Sequence, residues 1–265
     1  MRVLTVWNVD TFEGGKGSRT SFLRKIARKV EKKTEGVYFL VESYTQEGAE
    51  AAIAAGTLPD LLSFGVCLSA SAEASLQLSY TFAGGELGGE CRAVPWCRGG
   101  YYLFSLADNF EETGNVAISV GGSNLPLLAA AYADISGEEV ESQAAYVGFL
   151  SGKYRYLLGT QRDVCRFVSR NTTVYSRELT GYNDLFQYIS VLKTNHRADA
   201  LAFIEELLSS ETQELLGEIG MSAVKTGGET HTVNVFTDAE ALARLRELGR
   251  QNSDVKNLDK FLKII

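Results

Sequence analysis

The chain has 265 residues, of which 45% are hydrophobic and 22% charged, enough for one large or two small globular domains with a real core. Its net charge of −7 and pI near 5.1 speak against nucleic acid as a partner, since phosphate backbones are bound by basic faces. No apolar run approaches the roughly 18 residues of a membrane helix. The longest, Leu125 to Ala131, is short and interrupted.

Taken in order, the chain opens on Val3–Trp7, an apolar, β-branched stretch that reads as a strand and not as an export signal. An exported protein given without its leader and a cytoplasmic protein both fit that opening. A polar, glycine-bearing loop runs from Asn8 to Gly17. Ser18 is a good N-cap, and Phe22, Leu23, Ile26 and Val30 follow at helical spacing. The basic residues Arg24, Lys25, Arg28, Lys29, Lys32 and Lys33 fall on the other faces, as a solvated surface would have them. Gly36 closes this helix, Val37–Val41 forms a second strand, and Gln46–Ala55 an alanine-rich helix stopped by Gly56. Leu58–Gly65 gives a turn and a short buried strand. Alternating strands and helices imply βαβ crossovers and a parallel sheet, whose ligands gather at the carboxyl ends of the strands.

Residues 69–100 read as loop with short elements. Tyr101–Phe104 and Val116–Val120 read as strands, and Gly121–Asn124 leads into a helix over about Pro126–Ala133. Another helix is expected over Glu138–Leu150, then a strand at Tyr154–Leu158 and a polar stretch, Gly159 to Asp163. Further on, Gln187–Leu192 reads as a strand. Ala198–Leu208, Gln213–Ile219, Asp238–Leu248 and Asn257–Ile265 read as helices.

The cysteines, Cys67, Cys91, Cys97 and Cys165, form no CxxC pair; Cys91 and Cys97 are near enough for a local disulfide, and free packed thiols are the simpler reading. The histidines, His196 and His231, lie far apart, so no metal site is expected.

The opening Leu4–Trp7 with its polar loop and helix, followed by Gly56-Thr57-Leu58-Pro59-Asp60-Leu61-Leu62-Ser63-Phe64-Gly65, resembles the extracellular solute-binding proteins, family 1. Three later segments fit in the same order: Phe149–Tyr156, Leu192–Asn195 with Ala200–Ile204, and Ser209–Gln213 leading to Gly220-Met221. The resemblance implies an α/β, two-lobed type II periplasmic-binding-protein fold with a ligand cleft between the lobes, here in compact form. It places residues 1–103 and 187–225 in the first lobe, 104–186 and 226–265 in the second, with Tyr101–Phe104 and Gln187–Leu192 as crossings. It also implies a monomeric, non-enzymatic subunit of an ABC importer, extracellular or anchored as a lipoprotein, that hands a small polar solute, carbohydrate foremost, to a permease. No cofactor is implied.

The candidate ligand-binding residues follow from strand ends and helix starts. The loop after the first strand supplies Asn8, Asp10, Phe12, Glu13, Lys16, Gly17, Ser18 and Arg19; free N–H groups at the helix start suit an acceptor or anion there. A flexible loop ahead of a capped helix is the alternative. Its glycines and lysine do not have Walker spacing. Ser123 and Asn124 offer a second helix start, and Gln161, Arg162 and Asp163 a polar cleft wall or, alternatively, a pinned turn. Tyr44, Phe64, Trp96 and Tyr182 are candidates near strand ends and loops, Trp96 in particular for stacking on a sugar, with Trp7 read as core. Lys16, Arg19 and Arg162 would equally suit a carboxylate or phosphate. Asp10 with Glu13, Asp163 or Asp184 could form a glycosidase pair, but no nucleophile elbow or Cys-His arrangement supports catalysis. A cytoplasmic sensor on the same fold is the third reading.

Overall fold

The computed structural model describes residues 1–12, 16–110, 114–120, 126–179, 181–192, 194–224 and 233–244. Strand β1 (Arg2–Val9) leads to α1 (Arg19–Lys33), β2 (Val37–Tyr44), α2 (Gln46–Ala54) and β3 (Leu61–Phe64). The small hairpin β4 (Glu86–Leu87) and β5 (Glu90–Cys91) precedes β6 (Val94–Arg98). The chain continues through β7 (Tyr101–Ser105), β8 (Val116–Val120), α3 (Pro126–Tyr132), β9 (Glu138–Glu141), α4 (Ser142–Leu150), β10 (Tyr156–Thr160), α5 (Gln161–Ser169) and β11 (Tyr175–Leu179). It finishes with β12 (Phe186–Val191), α6 (Arg197–Leu208) and α7 (Ser210–Glu214), and residues 239–244 are again helical.

The strands form two five-stranded sheets, ordered β2-β1-β3-β12-β6 and β11-β7-β10-β8-β9. In the first, β2, β1 and β3 are parallel, as βαβ crossovers require, and β12 runs antiparallel between β3 and β6. In the second, β10, β8 and β9 are parallel, while β7 runs antiparallel between β10 and β11. Each sheet founds one lobe. The chain passes from first sheet to second through Gly99–Gly100 and returns between β11 and β12. Tyr101–Ser105 is a strand of the second sheet and Phe186–Val191 one of the first, so neither expected crossing is itself the link between the sheets.

Helix α1 forms because its apolar residues recur at helical spacing. Phe22, Leu23, Ile26, Ala27 and Val30 are buried against the first sheet, and Ser18 Oγ accepts from the Ser21 N–H at 3.2 Å. On the opposite face of that sheet Trp7, Leu62, Phe64 and Tyr188 pack with Val235 and Phe236. Val235 N–H also donates to the Gly84 carbonyl at 2.7 Å. The start of the segment 233–244 thus packs against the first sheet. In the second lobe Phe104, Tyr146, Phe149, Leu157 and Phe167 form a core of their own.

Two elements depart from expectation. Glu138–Glu141 is not the first turn of a helix but an edge strand paired parallel with β8, after which Glu141 caps α4 through Gln143 N–H and Ala144 N–H at 3.0 and 3.1 Å. Val94–Arg98, read as loop, is the edge strand beside β12. The four cysteines are free, so Cys91 and Cys97 do not pair. Leu245–Leu248 and Asn257–Ile265 lie outside the described residues.

Candidate functional site

The carboxyl ends of β1 and β3, the start of α1 and the start of α5 converge where the chain crosses between lobes. Asn8 ends in the interior, not at a cleft wall. Its amide donates to Asp10 at 3.1 Å and Thr20 at 3.0 Å, and its Oδ1 accepts from Ser63 at 2.9 Å. Arg19, only 4% exposed, is the hub of this network. Its guanidinium pairs with Asp10 at 2.6 Å, donates to Gln187 Oε1 at 3.1 Å and to the Phe12 carbonyl at 2.5 Å, and lies 4.2 Å over the Phe12 ring. A buried guanidinium needs this many acceptors to offset lost hydration. The network gathers Asn8, Asp10, Phe12 and Arg19, as expected, but spends their polar groups on one another.

Lys16 is exposed, and its backbone N–H donates to the Ile219 carbonyl at 2.9 Å. Gly17 adopts a φ of +80°, a left-handed turn that glycine enters without strain. From this turn the Lys16 charge reaches across to Cys165 on α5, where it partly opposes the burial that pushes the thiol up. Arg98 on β6 also reaches the second lobe, pairing with Glu178 on β11 at 2.6 Å. Between them lies Tyr102, whose phenol is pushed up by burial first and by Glu178 next.

The start of α5 is closed on itself. Thr160 and Asp163 form a capping box in which the Thr160 N–H donates to Asp163 Oδ2 at 3.1 Å. Asp163 Oδ1 pairs with Arg166 at 3.1 Å. Burial pushes the Asp163 carboxyl up, while Thr160 N–H and Arg166 pull it down. Gln161 is buried and exchanges two bonds with the crossing: its Oε1 accepts from Gly100 N–H at 3.0 Å, and its N–H donates to the Gly100 carbonyl at 3.1 Å. Arg162 is partly buried, and burial, then Arg166, lowers its pKa. Asp163 therefore partners Arg166 and its own helix cap rather than forming a cleft wall.

The aromatic candidates are likewise occupied. Trp96 is fully buried, with its Nε1 donating to Ser63 at 3.1 Å and its ring stacked on Phe22 at 5.9 Å, so it sits in the core and not in the cleft. Trp7 is core, as expected, with Tyr44 stacked over it at 4.1 Å. Phe64 is buried against Phe236. Tyr182 sits edge-on to Tyr101 and donates to the Ala129 carbonyl at 2.9 Å. Glu13, Ser123 and Asn124 lie outside the described residues.

Sequence reasoning passed over Thr11 and Gly65. Thr11 is 7% exposed, and its Oγ1 has no hydrogen-bond partner among the described residues. It rests against Gly65, where an added Cβ would collide with that oxygen. A glycine directly after a buried strand was the available signal for a close approach there. Elsewhere a shallow groove of about 460 Å³ runs along α1, lined by Ser21, Arg24, Lys25, Arg28, Lys29 and Lys32. Lys25 and Lys29 there pair with Glu218 and Glu211 at 2.9 Å each, which fits a solvated, ion-paired face. No helix among the described residues is long and apolar enough to cross a membrane.

No protein-family model and no curated protein matches the sequence. Solved structures do. The sugar-binding protein MalE from Xanthomonas citri superimposes with a TM-score of 0.68 at 13% identity, over 98% of this chain and 94% of that one. The substrate-binding domain of a putative molybdenum ABC transporter from Clostridium difficile gives 0.57 at 14% identity, over 85% of this chain and 100% of that one. Iron-bound HitA from Pseudomonas aeruginosa gives 0.57 at 16% identity, over 94% and 99%. With two sheets joined at paired crossings and a likeness that runs nearly end to end, the chain has the two-lobed fold of the ABC-transporter solute-binding proteins.

Proposed function

We propose that this protein is the solute-capturing subunit of an ABC importer, acting outside the cytoplasmic membrane, closing its lobes on a small polar solute and passing it unchanged to a permease. The observation that supports this most is the meeting of elements from both lobes at the crossings: the Lys16–Arg19 turn and the ends of β1 and β3 from one side, α5 and β11 from the other. Ligands of open α/β sheets bind at such carboxyl ends, and two lobes joined by short crossings close about them. The neighbouring structures are named for sugar, molybdenum and iron, so the fold accommodates several solute classes. We take the lobes to divide at Gly99–Gly100 and between β11 and β12.

Thermal unfolding against sugars, amino acids and oxyanions tests the reading. A captured solute at 100 times its Kd adds ~2.7 kcal/mol, a shift of several degrees for a chain of this size. Recovery of the solute unchanged supports capture, whereas its consumption would make the protein an enzyme.

A further inference from the structure

Each five-stranded sheet has two outer strands, and three of the four carry their own protection against pairing. Strand β6 holds Pro95 and is bridged at Arg98 by Ser222. Strands β9 and β11 are short and charged. Strand β2 has none of this. It is 8 residues long, with Glu42 its one charged residue. It pairs with β1 along its whole length and has no strand on its outer side among the described residues. One face of it is apolar and open: Tyr38 is 49% exposed, Leu40 41%, and Val3, opposite Tyr38 on β1, 44%. A long apolar edge of this kind is a template for another strand.

The Gly36 C=O turns toward β1, where it accepts from Arg2 N–H at 2.7 Å. The Val37 N–H of the same peptide therefore faces away, and by alternation the N–H and C=O of residues 37, 39, 41 and 43 all point outward. Two of these outward groups are held by side chains of α1. Glu31 Oε1 accepts from Phe39 N–H at 2.8 Å. The Arg24 guanidinium donates to the Val41 C=O through Nε at 3.2 Å and Nη2 at 3.0 Å. Arg24 and Glu31 stand seven residues apart on α1, and so lie along one side of the helix. Water satisfies such groups at an open edge; what the side chains add is occupancy.

Two copies of β2 laid antiparallel about a two-fold axis at Leu40 would set Phe39 opposite Val41 of the second copy, as a hydrogen-bonded pair. The bond from Phe39 N–H to Val41 C=O is then made twice, and both its ends are already taken. Registers shifted by two residues either way need one of the same two groups. On the open face Leu40 would meet Leu40 of the second copy. We propose that Arg24 and Glu31 close the β2 edge against a second copy of this chain, and that the protein is monomeric because they do.

The test is light scattering on a sizing column together with thermal unfolding, across about a hundredfold range of concentration. The parent is expected to keep the monomer mass throughout. Arg24→Met combined with Glu31→Ala should move toward twice that mass as concentration rises, with a Tm that climbs alongside. Adding Leu40→Lys sets two like charges at the axis and should return the monomer. Glu31→Gln, which keeps an acceptor for the Phe39 N–H, should behave as the parent does. A folded double variant that stays monomeric at every concentration would overturn the proposal. So would association that Leu40→Lys leaves in place, or a parent that is already a dimer and is dissociated by Leu40→Lys. If the double variant shows no cooperative unfolding, Arg24→Met and Glu31→Ala are judged singly by the same readings. Association reversed by Leu40→Lys then supports closure of the edge, and monomers overturn it.

Discussion

Arg19 carries more of the first lobe than any candidate around it. Replacing it with alanine strands Gln187 Oε1 and the Phe12 carbonyl and leaves Asp10 without its cation. The expected loss is about 2–4 kcal/mol, read as a lower urea midpoint with unchanged slope. Lysine should restore little, since one ammonium cannot reach three acceptors arranged for a planar fork. Cys97 offers a second check. Burial pushes its thiol up to about 12, so in native protein at pH 8 a thiol reagent should leave it unmodified, and mass spectrometry should find it labelled only after unfolding. The region of the site was legible in the sequence, because strand ends and helix starts are. Which side chains stay available was not. Asp10, Arg19 and Asn8 were marked for a ligand, but their mutual pairing depends on Gln187 and Ser63, which arrive from distant strands. Asp163 is different: Thr160-Gln161-Arg162-Asp163 has the spacing of a capping box, and that pattern was there to be read as a helix start.

Helix α1 is fastened by a stripe of three lysines one turn apart. Lys25 pairs with Glu218, Lys29 with Glu211 and Glu206, and Lys33 with Glu206. Burial raises the Glu206 carboxyl, but Lys33 and Lys29 more than offset this, so its folded pKa lies below the ordinary 4.5. A depressed carboxylate stabilises the fold above its unfolded pKa, and the contribution fades as pH falls through the folded one. Glu206→Gln should therefore cost about 1 kcal/mol at pH 7 and progressively less as the pH falls below 4.5, seen as urea midpoints that converge on acidification. Long amphipathic or continuously apolar elements such as α1, β2, β8 and α6 were readable from periodicity alone. The missed strands are edges. In β6 a proline is tolerated because β12 is the strand's one partner along its length among the described residues, with Ser222 bridging only its last residue, Arg98, and the proline sits opposite Tyr188 beside a bulge. In β9 and β11 the charges of Glu138, Glu139, Arg177 and Glu178 protect exposed edges, and so erase the alternation by which a strand is recognised.

At the scale of the molecule, relative movement of the lobes must pass through Gly99–Gly100, where Gln161 of the second lobe grips the backbone. A Cβ at Gly99 would stand 2.6 Å from the Gln161 side chain. Gly99→Ala should dislodge that grip, costing about 1–3 kcal/mol, and change solute affinity without touching the solute; titration and scattering with and without ligand would show both effects. The two sheets also differ in how they can be assembled. The second is drawn from one continuous stretch, Tyr101 to Leu179, whereas the first cannot close until β12 inserts between β3 and β6. A chain emerging from the ribosome can therefore complete its later lobe while the earlier one waits, with Leu61–Phe64 exposing an unpaired apolar edge for more than a hundred residues of synthesis. The sheet begun first is thus the one completed last.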